Sequence, residues 1–465
     1  MIAMLLYTLS LMLSAISIVL PNFYIATWGV ITVYMADFIV VWKKRNDRGI
    51  LLFFLLAFFT FMLARIFINT ITGIEWWSSF SNKEATVVLT GTYLALIFIP
   101  VGIVLGEHTR LFKNSTVNSE SEFIKTSETS AVQRIAIILF WSTLAANVYE
   151  VLDRVLFVLR NSYLEAYLSY SGVNTIVSRL ADINKIAFFL LLATFPSKQR
   201  AKCPIIVWVV INLLTILSGG RTTAVLTMLV LLYYYTYRNN HLSEDEEPWL
   251  TRRMKRAMII VAPVLIIFLA AWNYLRNSRN VELGFLELFF DFFEAQGGAY
   301  RHLAYACRYA DQLPQKFYTF GPVINFLRGN VLAKTLTGFR MPAQNTVKMA
   351  TTGYSFGQAV SYLEMPWNYL AGLGMGSSYL AELYYDFGFI GIVLFNTALG
   401  AMFSKLSRVS PNRTLGIFFM LVILDSTLNL PRNACMAWFT SITSITLWGT
   451  LLLVYVLTRR QKKCK

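Results

Sequence analysis

Charge is what this 465-residue chain most lacks: Asp, Glu, Lys and Arg together make up 14% of it, against roughly 25% in a soluble protein. With 56% hydrophobic residues as well, it cannot cover itself with a hydrated surface, which excludes an ordinary soluble globule. Cysteine is also scarce. The four present, Cys203, Cys307, Cys435 and Cys464, show no CxxC spacing, so they point to neither a zinc site nor a disulfide framework. No metal or other cofactor is expected. The first residues, MIAMLLYTLSLMLSAISIVL, lack a charged leader and a small-residue cleavage site, so a retained first helix is expected there.

What the chain has in abundance is apolar runs, and runs of about 18 residues or more are what a bilayer's hydrocarbon core requires. Spans are expected at about 2–20, 23–42, 50–72, 85–106, 135–157, 182–196, 203–218, 222–237, 257–275, 387–404, 413–428 and 437–457. The sixth, seventh and eighth are short. The basic residues then set the orientation. With both termini cytoplasmic, the inside segments hold 24 of the 41 lysines and arginines, among them Lys43, Lys44, Arg45, Arg252, Arg253 and Arg459. The short outside loops hold only Lys83, Arg160, Arg179, Arg221 and Arg432. Such a bias follows the positive-inside rule. It also accounts for the net charge of +16 without nucleic acid, because the positives are scattered in topology clusters. The expected fold is an all-α integral membrane protein of about twelve transmembrane helices. Spans 1–9 occupy residues 1–275, a large outside loop with amphipathic helices occupies 276–386, and spans 10–12 with a cytoplasmic tail occupy 387–465. A loop of that size, retained on one face of a membrane bundle, is where function concentrates. The segment 158–181 is a smaller outside stretch with amphipathic character.

Three groups of residues could do chemistry. Of the three histidines, only His302 falls outside the cytoplasmic segments, in a helix-compatible stretch with Arg301 and Arg308. Upstream, Glu287, Asp291 and Glu294 share one helical face. Gly297-Gly298 separates the acidic stretch from the basic one, which suggests a helical hairpin paired by charge. These charges either hold two loop helices together or supply a general base, for which His302 is favoured as the one histidine available, with carboxylates such as Glu294 as close competitors. The second group is the arginines of the outer face: Arg221, Arg276, Arg279, Arg301, Arg308, Arg328, Arg340 and Arg432. A planar guanidinium grips phosphate oxygens in bidentate fashion. Arg221 lies in an SGGR turn at the start of a span, where free backbone N–H groups also favour an anion; the alternative is interfacial snorkelling. Arg276 and Arg279 emerge at headgroup depth, where lipid phosphate is the competing partner. Arg65 and Arg154 sit inside or beside spans, with Glu150 and Asp153 close enough to Arg154 for a local pair. The third group runs from Tyr354 to Gly391. Glycines 372, 374 and 376 lead through Ser377 into a stretch with Glu382 and Asp386 at i, i+4, and Asp386-Phe387-Gly388 marks a bend. The glycines lack the Lys-Ser/Thr of a Walker loop, and the aromatics around them suit sugar stacking or interface anchoring.

The string GLGMGSSYLAELYYDFGFIGIVLF, with SFGQAVSY before it and SGGR upstream, resembles the bacterial O-antigen polymerases of the Wzy type. The likeness is sharpest over residues 354–400 and extends in layout along most of the chain. It implies a GT-C-like polytopic bundle with a periplasmic loop between spans 9 and 10, in the bacterial inner membrane. It implies polymerisation of undecaprenyl-diphosphate-linked oligosaccharide repeat units on the periplasmic face, by a glycosyltransferase without a metal. Membrane lipids, and a chain-length regulator, are the further partners it implies. Matching positions are Arg221, Glu382 and Asp386. The diphosphate contacts from Arg276, Arg279, Arg301, Arg308, Arg328 and Arg340 are physical expectations. The alternatives are the O-antigen ligase, which uses the same donor, and a lipid-linked oligosaccharide flippase. The resemblance favours the polymerase. The transporter class is weakened by the lack of an internal repeat and by charges gathered on the outside.

Overall fold

The computed structural model describes residues 1–108, 119–161, 165–166, 169–242, 246–276, 283–330, 333, 335–336, 338–463. Described residues are helical or irregular, with no strand among them. The apolar runs form α1 (Ile2–Val19), α2 (Phe23–Lys43), α3 (Gly49–Phe58), which continues through a π-helical turn at Phe59–Leu63 into α4 (Ala64–Ile71), and α5 (Asn82–His108). Then come α6 (Ser119–Asn161), α7 (Thr175–Ala193), α8 (Lys198–Leu214), α9 (Arg221–Asn240) and α10 (Arg252–Arg276). Short helices follow: α11 (Phe285–Gln296), α12 (Tyr300–Arg308), α13 (Gly321–Gly329), α14 (Val347–Thr352), α15 (Phe356–Glu364) and α16 (Pro366–Leu370). The chain closes with α17 (Tyr379–Ser407), α18 (Thr414–Thr427), α19 (Ala437–Thr443) and α20 (Ile445–Lys463). Asparagines at the helix starts meet N–H groups that apolar surroundings would leave unpaired. Asn22 accepts from Tyr24 N and Ile25 N, and Asn174 from Ile176 N.

Among the described residues, nine helices are long and apolar enough to cross a membrane. The three expected spans outside that set are the short ones, now α7, α8 and α9. The reason is visible in their side chains: α8 has only 17 residues, and α7 and α9 carry Asp182, Lys185, Thr223 and Thr227 on a wall that faces a polar cavity. The expected tenth span begins earlier than anticipated, because α17 starts at Tyr379. Its bend falls at Gly388, whose φ of 62° and ψ of −155° interrupt the helix, a conformation that glycine adopts without a Cβ clash.

One end of the bundle is tied by ion pairs and hydrogen bonds. Glu107 receives a bidentate contact from Arg48 and a second guanidinium from Arg408, Lys198 reaches the Pro248 carbonyl, and Tyr237 donates to the Val409 carbonyl. Between the ends, α5 and α17 press together through glycines. A Cβ on Gly102 would strike the Thr397 carbonyl oxygen, and one on Gly400 would strike the Ile99 carbonyl oxygen. Small residues that let backbones approach are a main source of helix association in lipid, where apolar burial gives little advantage.

At the other end, α11 and α12 do not form a lid. They turn inward as a hairpin. Its tip meets the middle of the Gly49–Ile71 segment, where Ala299 N donates to the Phe61 carbonyl at 3.1 Å. Gly297 lies so close to the Arg65 backbone that no side chain fits there. From that depth α12 climbs along α5, with Leu303 against Gly91 and Arg308 bound to Glu84. Among the described residues no ion pair joins the hairpin's two helices, in contrast to the charge-paired hairpin that the sequence pattern suggests. Its charges turn outward to the bundle: Glu294 to Arg65, Asp291 to Tyr274 and Arg308 to Glu84. The expected local pairing near Arg154 also takes another form, since Asp153 accepts from Tyr170.

The α5–α17 contact makes a direct prediction. Gly102→Ala and Gly400→Ala should each lower the protein's thermal midpoint in detergent, at a cost of roughly 1–3 kcal/mol from overpacking. Gly449→Ala, where a new Cβ meets nothing within 4 Å, should melt like the wild type. Equal melting of all three variants would show that the two helices do not meet at these glycines.

Candidate functional site

The hairpin tip gathers arginine side chains from three parts of the chain. Arg65 follows the π-helical turn, Arg301 lies in the first turn of α12, and Arg432 closes a 3-10 turn at Leu430–Arg432. Arg432 donates to Gln296 Oε1 at 2.6 Å and lies over the Phe61 ring at 5.9 Å. Arg65 faces Glu294 at 3.4 Å, and its Nε is buried with no acceptor among the described residues. Arg301 is half-buried, and no acceptor or counter-ion for it appears among the described residues. Three guanidiniums thus stand at the tip, Arg65 in an ion pair with Glu294 and Arg432 on the Gln296 amide oxygen. Guanidiniums gathered in one place favour an incoming anion.

The four expected acid–base groups are placed very differently. His302 is buried, and its Nδ1 and Nε2 each face a main-chain carbonyl, Ala299 O and Met375 O, at 3.0 Å. Burial pushes its pKa below the ordinary histidine value; the two carbonyls oppose this, and Arg432 and Arg301 add to it. Neither ring nitrogen presents a lone pair to open space. Glu382 is buried under the same turn that carries Arg432, accepting from Ser377 Oγ and Cys435 N at 2.7 Å each. Asp386 accepts from Tyr318 N at 3.1 Å and Thr319 N at 2.6 Å, pinning the start of α13 to α17. Glu294 is half-exposed. Its one described ion pair is the 3.4 Å contact with Arg65.

The arginines separate in the same way. Arg308 is clasped by Glu84, Glu364 and the Ser79 carbonyl; its charge-assisted bonds raise its pKa further. Arg328 is exposed and rests on the rings of Phe339 at 4.5 Å and Tyr354 at 5.5 Å. Arg340 is exposed. Arg221 opens α9 as expected and reaches the Leu269 carbonyl at 3.4 Å. Arg276 ends α10, and Arg279 lies outside the described residues. The glycine loop before α17 is also pinned, because Met375 N donates to Ser361 and Met375 O meets His302. Its backbone is thus less open than a phosphate cradle requires.

Beside the tip lies a polar cavity of about 380 Å³, walled by α6, α7, α8, α9, α18 and α19. Glu150, Asp182, Lys185 and Asp425 face it, and Lys185 pairs with Asp425 at 2.6 Å. Asn433, next to Arg432, lines one edge, and Thr223, two residues past Arg221, lines another. Sequence reasoning missed this cavity, along with Gln296 and the gathering of Arg65 and Arg432. The available signal was the shortness and polarity of the sixth to eighth spans.

Arg308 makes a second prediction. Arg308→Ala and Glu84→Gln should each destabilise the protein by about 1–3 kcal/mol, and the double variant should lose much less than the sum. Additive losses in melting experiments would mean that the two side chains do not act together.

A cluster of guanidiniums on an apolar helical bundle suits a substrate that is anionic and carried by a lipid. No curated relative and no solved structure matches the chain. Over residues 2–465, it matches the family described as O-antigen polysaccharide polymerase Wzy. The chain belongs to that family: it is a helical membrane protein of the kind that polymerises lipid-linked oligosaccharide repeat units.

Proposed function

We propose that the hairpin tip is where the diphosphate of an undecaprenyl-linked donor is held while its glycan is transferred. The observation that carries this reading is the gathering of Arg65, Arg301 and Arg432 at the hairpin tip, with Arg65 against Glu294, Arg432 on Gln296, and Arg301 and Arg432 both beside His302. In this reading the chain crosses the bacterial inner membrane twelve times, with both termini cytoplasmic and residues 277–378 on the periplasmic side. Support comes from the clustering of lysine and arginine in alternate connections. The whole-chain family match favours the polymerase over the ligase and the flippase.

The reaction follows from the charges. A hydroxyl oxygen of the acceptor's terminal sugar attacks the donor's anomeric carbon. The bond from that carbon to the phosphate oxygen breaks, its electron pair leaves with the diphosphate, and the hydroxyl proton passes to a base. Charge grows on the diphosphate as the bond breaks, so pre-placed guanidiniums stabilise the transition state more than the bound substrate. They supply this stabilisation without a metal. Glu294 is the proposed base, since its half-exposed carboxylate faces the Arg65 guanidinium, whereas those of Glu382 and Asp386 accept backbone N–H groups. His302, Glu382 and Asp386 are positioning groups in this account. They fix the glycine loop, the 430–436 turn and the start of α13 around the tip. Arg221, at the start of α9, is proposed to hold the lipid diphosphate at the rim, and Arg328 and Arg340 to meet headgroup phosphates farther out.

Deletion of the gene tests the function itself. Surface polysaccharide should collapse to single-unit capping, whereas total loss of attached units indicates a ligase and internal build-up of lipid-linked units a flippase. Within the site, Arg301→Ala should lower kcat by about 10²–10³-fold with a smaller change in KM, at normal membrane abundance. A normal chain-length ladder in that variant would remove Arg301 from the site. Glu294→Gln should abolish polymer while His302→Gln keeps some; the reverse order would hand the base to His302.

A further inference from the structure

We infer that the polar cavity beside the tip is a saccharide subsite that takes the sugar end of the acceptor, neutral or amino-bearing, and excludes the diphosphate. The identity of the ligand rests on the polymerase reading; the chemistry of the wall stands apart from it. Of the three carboxylates that face the space, Asp425 is paired with Lys185 and Asp182 with Arg179, and Glu150 has no ion pair among the described residues. A wall whose one ammonium is already paired offers a diphosphate no free counter-charge, so the anion stays at the arginines of the rim. The acids do not converge as metal ligands either: among the described residues, no three histidine, cysteine, aspartate or glutamate side chains are placed to hold an ion.

The rest of the wall is suited to hydroxyls. Asn147, Asn212 and Thr227 are buried side chains lining the space, with Asn212 fixed by Thr227 at 3.1 Å. An amide offers donors and an acceptor on one rigid plane, which matches the mixed donor and acceptor character of a sugar hydroxyl. Asn429 also lines the cavity, and its Oδ1 is buried with no hydrogen-bond partner among the described residues. A buried acceptor left unmet is unfavourable, and a hydroxyl entering the cavity would satisfy it. Trp208 gives one apolar stretch of wall and is held by stacking on Phe188 at 4.7 Å, as sugar C–H faces require. A volume of about 380 Å³ lies within the roughly 300–1,000 Å³ of small-molecule sites. A second hollow of about 170 Å³ shares Asp182, Lys185 and Asp425 and continues past Ser444 and Leu447, which gives a glycan room to extend sideways. Because Asn433 adjoins Arg432, a sugar seated here would put its terminal hydroxyl next to the proposed diphosphate position.

The test uses the full chain in nanodiscs with two probes: repeat-unit oligosaccharide released from its lipid by mild acid, without phosphate, and undecaprenyl diphosphate without sugar. Wild-type protein should bind both. Asn429→Leu and Thr223→Val, each screened for normal melting, should weaken oligosaccharide binding by about tenfold and leave undecaprenyl diphosphate binding unchanged. Arg432→Ala should do the opposite, and Asn429→Asp, which keeps an acceptor, should restore part of the loss. Absence of oligosaccharide binding to the wild type, or equal binding by Asn429→Leu and Thr223→Val, overturns the inference and leaves the cavity as a water-filled space. Those results do not touch the polymerase reading, which stands or falls on the polysaccharide ladder of the deletion strain.

Discussion

The docking of the Gln296–Ala299 turn against the π-helical turn at Phe59–Leu63 is the contact on which the rest of the architecture depends. A π-turn widens a helix and disturbs its regular i→i+4 bonding, and here the Phe61 carbonyl accepts from Ala299 N, far along the chain. Inside a membrane an unmet carbonyl is strongly unfavourable, so this bond fixes the depth of the hairpin as well as its register. Arg65, immediately after the π-turn, is thereby set against Glu294, and Phe61 lies beneath Arg432. The absence of a side chain at Gly297 is what lets the two backbones come this close. Arg308 and Glu84 then secure the upper end of the hairpin. A loop placed this way brings charge to lipid depth without requiring a charged residue at the centre of a lipid-facing helix.

Two charge environments stand side by side at this end of the molecule. The tip gathers guanidiniums; in the cavity next to it the one ammonium, Lys185, is already paired with Asp425, and Glu150 and Asp182 also face the space. A lipid-linked oligosaccharide has the same division, an anionic diphosphate followed by polar sugars of little charge. The arrangement would orient such substrates by electrostatics alone, with like-charge repulsion blocking the inverted pose.

Much of this was legible in the residues. The apolar runs gave the helices, Asp386-Phe387-Gly388 marked the bend at Gly388, and SGGR placed Arg221 at the start of α9. Legibility ended where chain-distant residues meet. That Glu294 faces Arg65, and that Glu382 serves Cys435 N, depends on packing between segments far apart in the chain, which no local spacing encodes. His302 stood out because histidine is rare here, yet its nitrogens are directed at carbonyls. The sixth to eighth spans looked weak as membrane helices for a physical reason. Their polar residues face the cavity rather than lipid, so the same side chains that lowered their hydropathy mark the place of interest.

A structure of the protein in nanodiscs with undecaprenyl diphosphate tests the central claim most directly. The account places the diphosphate within hydrogen-bond reach of Arg301 and Arg432, beside Glu294 and outside the acidic cavity. Diphosphate density on Arg328 alone, or within the cavity among Asp182 and Asp425, would contradict it.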